Sequence, residues 1–223
     1  MRVNILQQHT SNEGPGSIRD WIHANNNEMY VYHPDQFGNL PTAAETDMLV
    51  VLGGPMSPND DFPWLEEERE LIRTLIDERK PIFGACLGAQ QIVKALGYQV
   101  SQAPHKEVGW APVYRQNDAI PGIPEKLTAL HWHQDMFEIP DDAKLLFSSD
   151  LNENQGFLYH DNVIGLQFHF EPMKDNVREI AINDNQYPLE NNDLHQTAAE
   201  IINHDVPAEN KQVMFKLLNY ITK

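Results

Sequence analysis

Residues 48–52 form a continuous apolar run that stops abruptly at Gly53-Gly54-Pro55. A strand without alternation between apolar and polar residues is typical of a strand that is buried on both faces. Such strands occur mainly in parallel sheets that carry helices on either side. This run therefore predicts an α/β protein with a mainly parallel central sheet.

Strands and helices alternate over the first hundred residues. Apolar runs predict strands at residues 3–7, 48–52 and 81–85. Apolar periodicity predicts helices at residues 18–26 with Ser17 as cap, from Pro63 to about Arg79, and at residues 87–96 with Gly97 as stop. This alternation is typical of βαβ units in a three-layer fold, with helices flanking the sheet.

The second half of the chain predicts further strands and then helices. The predicted strands are residues 108–115, 145–148, 155–159 and 163–170, with Asp161-Asn162 as the turn between the last two. After Pro172 the pattern becomes helical, and Asp205 and Pro207 start a last helix. No linker divides the chain, so we expect one domain over residues 1–223, with a C-terminal helical region at 173–223.

Charge and cysteine content narrow the functional class. The chain has 33 acidic and 16 basic residues, a formal charge of −17, and this argues against a nucleic-acid partner because phosphate binding relies on Lys and Arg. No apolar run is long enough for a transmembrane helix, and the N-terminus is polar too soon for a signal peptide. The single cysteine suits a reducing compartment, so we expect a cytoplasmic protein.

Cys86 lies in the sequence Gly84-Ala85-Cys86-Leu87-Gly88, between a predicted strand and a predicted helix. This pattern has the form of a nucleophile elbow, a tight turn whose flanking residues must be small. Such a turn holds the thiol at a helix N-terminus, where the dipole and free amides favour the thiolate. The alternative is a buried, inert cysteine, and the pattern favours the nucleophile.

A cysteine nucleophile needs a base, and His169 is the best candidate. In an extended segment His169 and Glu171 project to the same side, while Phe168 and Phe170 face the other. A carboxylate two residues away can fix the orientation of the imidazole. Without Cys86, a solvated strand end would be the better interpretation.

Two further motifs permit chemistry. The backbone N–H of Gly54 can complete an oxyanion hole with that of Leu87, although a simple sharp turn is the commoner role of Gly-Gly-Pro. His131 and His133 would share one face of a strand, as metal ligands can. Zinc needs a third protein ligand, however, and no further spacing in the sequence supplies one, so we predict no metal and no cofactor.

Three motifs in this order carry a resemblance to a known family: Gly53-Gly54-Pro55, the elbow extended to Gln90, and Gly165-Leu166-Gln167-Phe168-His169-Phe170-Glu171-Pro172. Together they resemble the class I glutamine amidotransferases, most closely the stand-alone branch similar to the glutaminase part of GMP synthase. The resemblance covers about residues 1–172, and within this range segments 106–110 and 131–135 also look like that branch. It implies a flavodoxin-like fold with an antiparallel extension and C-terminal helices.

The resemblance also implies roles for individual residues. Cys86 would be the nucleophile, His169 the general acid and base, and Glu171 its orienter, with the amides of Gly54 and Leu87 as the oxyanion hole. The implied substrate-binding residues are Gln90, Gly53, Gln155, Gly156 and Phe157.

Two positions depart from the family pattern. The common form of the His–Glu motif has proline where this chain has Phe170, and we expect the triad geometry to survive because position 170 faces away. The GMP synthase branch often has glycine where this chain has Gln134. A larger side chain there would narrow or re-aim the mouth of the pocket, which leaves the amide substrate open.

The resemblance implies hydrolysis of glutamine to glutamate and ammonia through a γ-glutamyl thioester. The alternative is a γ-glutamyl peptide or amide hydrolase with the same triad, and a non-catalytic binding protein is less favoured. The chain has no G-x-x-x-x-G-K-[ST] or other phosphate loop, so either the ammonia passes to a separate synthetase subunit or the protein acts alone.

Overall fold

The computed structural model describes residues 1–9 and 14–223, and a nine-stranded sheet runs through them. The strands are β1 (Arg2–Leu6), β2 (Glu28–Tyr32), β3 (Met48–Val51), β4 (Ile82–Ala85), β5 (Val100–Arg115), β6 (Lys126–Phe137), β7 (Ala143–Ser148), β8 (Gly156–Tyr159) and β9 (Val163–Leu166). The helices are α1 (Ser17–Ala24), α2 (Pro34–Phe37), α3 (Pro63–Asp77), α4 (Leu87–Ala95), α5 (Lys174–Asn183), α6 (Ala198–Asn203) and α7 (Ala208–Ile221). Short 3-10 turns cover Ala43–Glu45 and Tyr187–Leu189.

The strand order is β2-β1-β3-β4-β9-β8-β7-β5-β6. The strands from β2 to β9 in this order pair in parallel, and those from β9 to β6 pair antiparallel. The predicted α/β class and the antiparallel extension are confirmed. The extension is larger than predicted because β5 and β6 are long strands of 16 and 12 residues.

Helices cover both faces of the parallel half. One apolar cluster joins the sheet to α1 and α7, and a second joins its other face to α3 and α4. β3 and β4 are buried along their whole length, as their unbroken apolar sequences predict. Between α1 and α7, the indole N–H of Trp21 donates a hydrogen bond to the side-chain oxygen of Asn219, at 2.7 Å.

Several predicted boundaries need correction. Ser17 is the first residue of α1 and does not cap it, because Gly16 occupies the cap position at φ 49°. The hairpin turn contains the predicted Asp161-Asn162 but begins one residue earlier, at His160, and both His160 and Asp161 have positive φ. β9 ends at Leu166 and does not reach residue 170.

The C-terminal region serves two parts of the molecule. α7 packs against α1 and contacts β9 and β6 of the sheet, while α5 and α6 form a third apolar cluster with β5 and β6. Within the described residues, no helix has the length and apolar character needed to cross a membrane.

Candidate active site

Cys86 lies in the turn between β4 and α4 with φ 50° and ψ −112°. This backbone conformation is strained for a residue with a side chain, and such strain is concentrated at functional sites. Its N–H donates a 2.7 Å hydrogen bond to the carbonyl oxygen of Leu166 at the end of β9, which holds the turn in place. The residue is 7% exposed, and it caps the N-terminus of α4.

Gly84 and Gly88, two residues before and two after Cys86, lie where no larger side chain fits. A Cβ atom on Gly88 would collide with the carbonyl group of Val51 in β3. A Cβ atom on Gly84 would lie 2.7 Å from the carbonyl of Gly88 and from the amide of Ala89. The requirement for small residues, which the sequence pattern predicts, therefore follows from close contact between the turn, α4 and β3.

His169 and Glu171 follow β9, and their side chains are in contact. His169 Nδ1 lies 2.5 Å from Glu171 Oε1, and the residues are 2% and 3% exposed. The backbone N–H of His169 donates to the carbonyl of Leu130, and the carbonyl of Glu171 accepts from the N–H of Ser17. Phe168 and Phe170 pack in the core with ring centroids 4.7 Å apart, as alternation predicts.

A cavity of 480 Å³ opens beside Cys86. Of the predicted site residues, Gly54, Cys86 and Gln90 line it, and Leu87 is the buried first residue of α4. Gln134, the departure from the family pattern, is exposed and also lines this cavity. The remaining lining residues are Pro55, Met56, Ser57, Trp132, His133, Asp135, Ile180, Asn183, Asp184 and Tyr187.

Two groups next to the sulfur were not predicted from the sequence. The carbonyl oxygen of Trp132 lies 3.9 Å from Cys86 Sγ, and the side-chain nitrogen of Gln167 lies 3.7 Å from it. The side-chain oxygen of Gln167 accepts a 3.2 Å hydrogen bond from Gln90. Gln167 belongs to the motif that suggested the family, and its position directly before Phe168-His169 is the signal that could have identified it.

The C-terminal region supplies one wall of the cavity, a role that no sequence pattern predicted. Ile180, Asn183 and Asp184 come from α5 and its end. Asp184 accepts a 3.1 Å hydrogen bond from the indole N–H of Trp132. Burial raises the pKa of Tyr187 on this wall. The resemblance ends near residue 172, so these residues had no motif to mark them.

The other predicted substrate-binding residues are buried and do not line the cavity. Gln155 and Phe157 are completely buried, Gly53 and Gly156 are buried, and none of the four lines the described cavity. The side-chain amide of Gln155 donates a 2.6 Å hydrogen bond to Glu107 in β5. In this structure the side chain of Gln155 therefore contacts Glu107 and does not face the cavity beside Cys86.

Glu107, His131 and His133 form a buried cluster between β5 and β6. One possible ligand atom from each of the three side chains lies within 4.8 Å of the other two. Burial is the main cause that lowers the pKa of both imidazoles to about 3. Both histidines are therefore neutral at neutral pH, the form in which imidazole binds metals.

The family model for class-I glutamine amidotransferases matches residues 18–184. A glutamine amidotransferase-like protein of Salmonella typhimurium is 38% identical over 184 residues, which is 77% of this chain and 76% of that protein. A glutamine-hydrolyzing GMP synthase subunit of Thermoplasma acidophilum is 35% identical over 130 residues, 56% of this chain and 63% of that protein.

Gamma-glutamyl peptidase 4 of Arabidopsis thaliana is also similar, with 29% identity over 135 residues, 56% of this chain and 54% of that protein. Among solved structures, a glutamine amidotransferase from Methylobacillus flagellatus superposes with a TM-score of 0.88 at 31% identity. That superposition covers 99% of this chain and 92% of the other. The similarity therefore extends through the C-terminal helices.

Proposed function

Because this chain belongs to the class-I glutamine amidotransferase family, we propose that it hydrolyses the side-chain amide of glutamine to glutamate and ammonia. The observation that carries the proposal is the strained backbone of Cys86, at φ 50°, at the start of α4 and beside a 480 Å³ cavity. A cysteine in this position combines access to a cavity with the electrostatic support of a helix N-terminus.

In the first step His169 takes the proton of the Cys86 thiol, and the resulting thiolate attacks the amide carbon of glutamine. The carbonyl oxygen becomes an oxyanion, which the backbone amides of Gly54 and Leu87 stabilise. Removing one such donor costs a comparable hydrolase about 3–4 kcal/mol. His169 gives a proton to the departing nitrogen, so ammonia leaves and a γ-glutamyl thioester remains on the sulfur.

Water then completes the cycle. His169 takes a proton from the water as its oxygen attacks the thioester carbon, and the C–S bond breaks to release glutamate. The thiolate then takes that proton back from His169. Glu171 accepts a hydrogen bond from His169 and holds the imidazole in one orientation throughout. Each group returns to its starting protonation state, so no cofactor is needed.

The test uses a chloroketone analogue of glutamine, which alkylates a thiol only after it binds. Intact-mass spectrometry should show one adduct, because Cys86 is the single cysteine. Free glutamine should suppress the adduct, and a C86S variant should show none. Alkylation by iodoacetamide, a reagent that does not resemble glutamine, is the control for the reactivity of the Cys86 thiol itself. Labelling that ignores glutamine, or no labelling of folded protein, would contradict the proposal.

A second candidate is hydrolysis of γ-glutamyl peptides or amides by the same triad. The γ-glutamyl peptidase relative favours it, and so does the 480 Å³ cavity, which falls in the range typical of larger ligands. Rates with glutamine and with a set of γ-glutamyl dipeptides separate the candidates. A higher kcat/KM for the dipeptides would favour the second one.

We also propose that the ammonia passes to a separate synthetase subunit. A GMP synthase subunit is among the relatives, and the chain contains no phosphate-loop motif of its own. Copurification of a tagged chain with an ATP-using protein, with glutaminase activity that rises on addition of that protein, would support this. Full activity of the isolated chain that no partner changes would favour a free-standing hydrolase.

A further inference from the structure

β5 and β6 bring Glu107, His131 and His133 onto one face of the antiparallel sheet. Glu107 is paired directly with His133 in the register of the two strands, and Gly109 with His131. Residues two apart on a strand share a face, and directly paired residues face the same side. The third ligand that the sequence spacing of the two histidines did not reveal is therefore supplied by the neighbouring strand.

The distances in this cluster suit a small cation. His131 Nδ1 lies 3.2 Å from His133 Nε2. The two carboxylate oxygens of Glu107 lie 3.8 Å from His131 Nδ1 and 3.6 Å from His133 Nε2. Ligands bound to zinc at about 2.0–2.2 Å in a tetrahedron are separated by distances similar to these.

The surroundings also fit a bound cation. Glu107 and His131 are 1% and 0% exposed, and a buried carboxylate is costly without a positive partner. Within residues 1–9 and 14–223, no lysine or arginine forms an ion pair with Glu107. Asn152 and Gln155 donate hydrogen bonds of 2.7 and 2.6 Å to one of its oxygens. Outer hydrogen bonds of this kind orient carboxylate ligands in metal sites.

We propose that Glu107, His131 and His133 bind one zinc ion. Two imidazoles and one carboxylate are a common zinc ligand set, and the fourth position is then open to water or another group. His133 also lines the cavity beside Cys86, which provides an entry path. The site does not depend on the proposed glutaminase activity.

The ion would stabilise the strand that contributes to the cavity. Trp132 lies between the two histidine ligands, and its carbonyl oxygen is 3.9 Å from Cys86 Sγ. A metal held on both sides of Trp132 would fix this carbonyl and this part of β6. Its role is therefore to support the geometry near the sulfur, with no part in bond breaking.

The test is zinc binding by the full chain in the C86S background, which removes the one thiolate. After treatment with a chelator and desalting, ZnCl₂ is titrated against a chromophoric chelator. We expect one zinc per chain, with H133Q and E107Q each weakening binding at least about 100-fold. H23Q, which alters an exposed histidine on α1, should bind zinc as C86S does.

X-ray absorption of zinc-loaded C86S keeps the test decisive if the cluster variants fail to fold. Nitrogen and oxygen ligands at about 2.0–2.2 Å, with the signature of two imidazoles, would support the site. If C86S does not bind one zinc per chain, the proposed site is overturned, because C86S keeps all three proposed ligands. Equal affinity in folded H133Q and E107Q would overturn it as well.

Discussion

His169 Nδ1 lies 2.5 Å from Glu171 Oε1, and both side chains are buried. An ionised carboxylate can only accept, so Nδ1 carries a hydrogen that it donates to Glu171, and Nε2 is the ring nitrogen left to exchange protons. The backbone of each residue is separately anchored, His169 to Leu130 and Glu171 to Ser17. The orientation of the imidazole is thus set from two sides.

The first prediction compares H169A with E171Q. H169A should lower kcat for glutamine hydrolysis by about 10²–10⁴-fold, because it removes the group that moves the proton in the proposed mechanism. E171Q should lose less, since the amide oxygen can still accept from Nδ1 while the negative charge is gone. Steady-state rates of both variants check this order, with circular dichroism to confirm folding. An equal or reversed order would show that Glu171 does more than orient His169.

The second prediction concerns the elbow. G88A should destabilise the protein by about 3 kcal/mol or more, because its methyl group collides with the backbone carbonyl group of Val51. Urea denaturation measures the loss. G38A is the matched control, since Gly38 has φ 63° with nothing within 4 Å of an added Cβ, and its cost should be only about 1 kcal/mol. Similar losses in both variants would contradict the steric account.

The elbow could be predicted from the sequence because its requirements are local. Small residues must flank Cys86, and a strand must precede it and a helix follow it, all within a few positions. The contacts of the sulfur with Trp132 and Gln167 have no such signature. A backbone carbonyl belongs to every residue type, and the wall formed by α5 depends on how distant segments pack.

The strands also divide into those that the sequence predicts and those that it does not. β3 and β4 are apolar throughout because helices cover both faces, so their sequences stand out. β2 lies at the edge of the sheet and is largely exposed, so its sequence carries no clear pattern. The early part of β5 was not predicted because a register shift between Gln102 and Glu107 interrupts its alternation.

The third prediction uses Gln134 to separate the two candidate substrates. Gln134 is exposed and lines both the cavity beside Cys86 and a neighbouring cavity of 610 Å³. If the substrate extends beyond glutamine, Q134G should change kcat/KM for γ-glutamyl dipeptides by about 10-fold or more. The value for glutamine should change by less, because glutamine lacks the second residue that would extend toward Gln134. Parallel changes for both substrates would contradict this.

The fourth prediction begins from Glu68, a completely buried residue of α3. Its carboxyl group accepts hydrogen bonds from the side-chain amides of Gln8 and Gln91. Burial nevertheless raises the pKa of Glu68 from 4.5 to about 7. The folded protein therefore binds this proton more tightly than the unfolded chain does.

The sign of the pH effect follows from that difference. The contribution of Glu68 to stability is greatest below pH 4.5 and decreases as pH rises to about 7, where the folded protein also releases the proton. E68Q stays neutral, so its stability relative to the wild type should increase over this range, by on the order of 1–3 kcal/mol. Urea denaturation of both proteins from about pH 5 to about pH 8 measures this difference. E66Q is the control, because Arg73 and Arg69 lower the pKa of the exposed Glu66 below 4.5, so its stability difference from the wild type should stay constant from about pH 5 to about pH 8. A stability difference between E68Q and wild type that stays constant across this range would show that Glu68 does not titrate there.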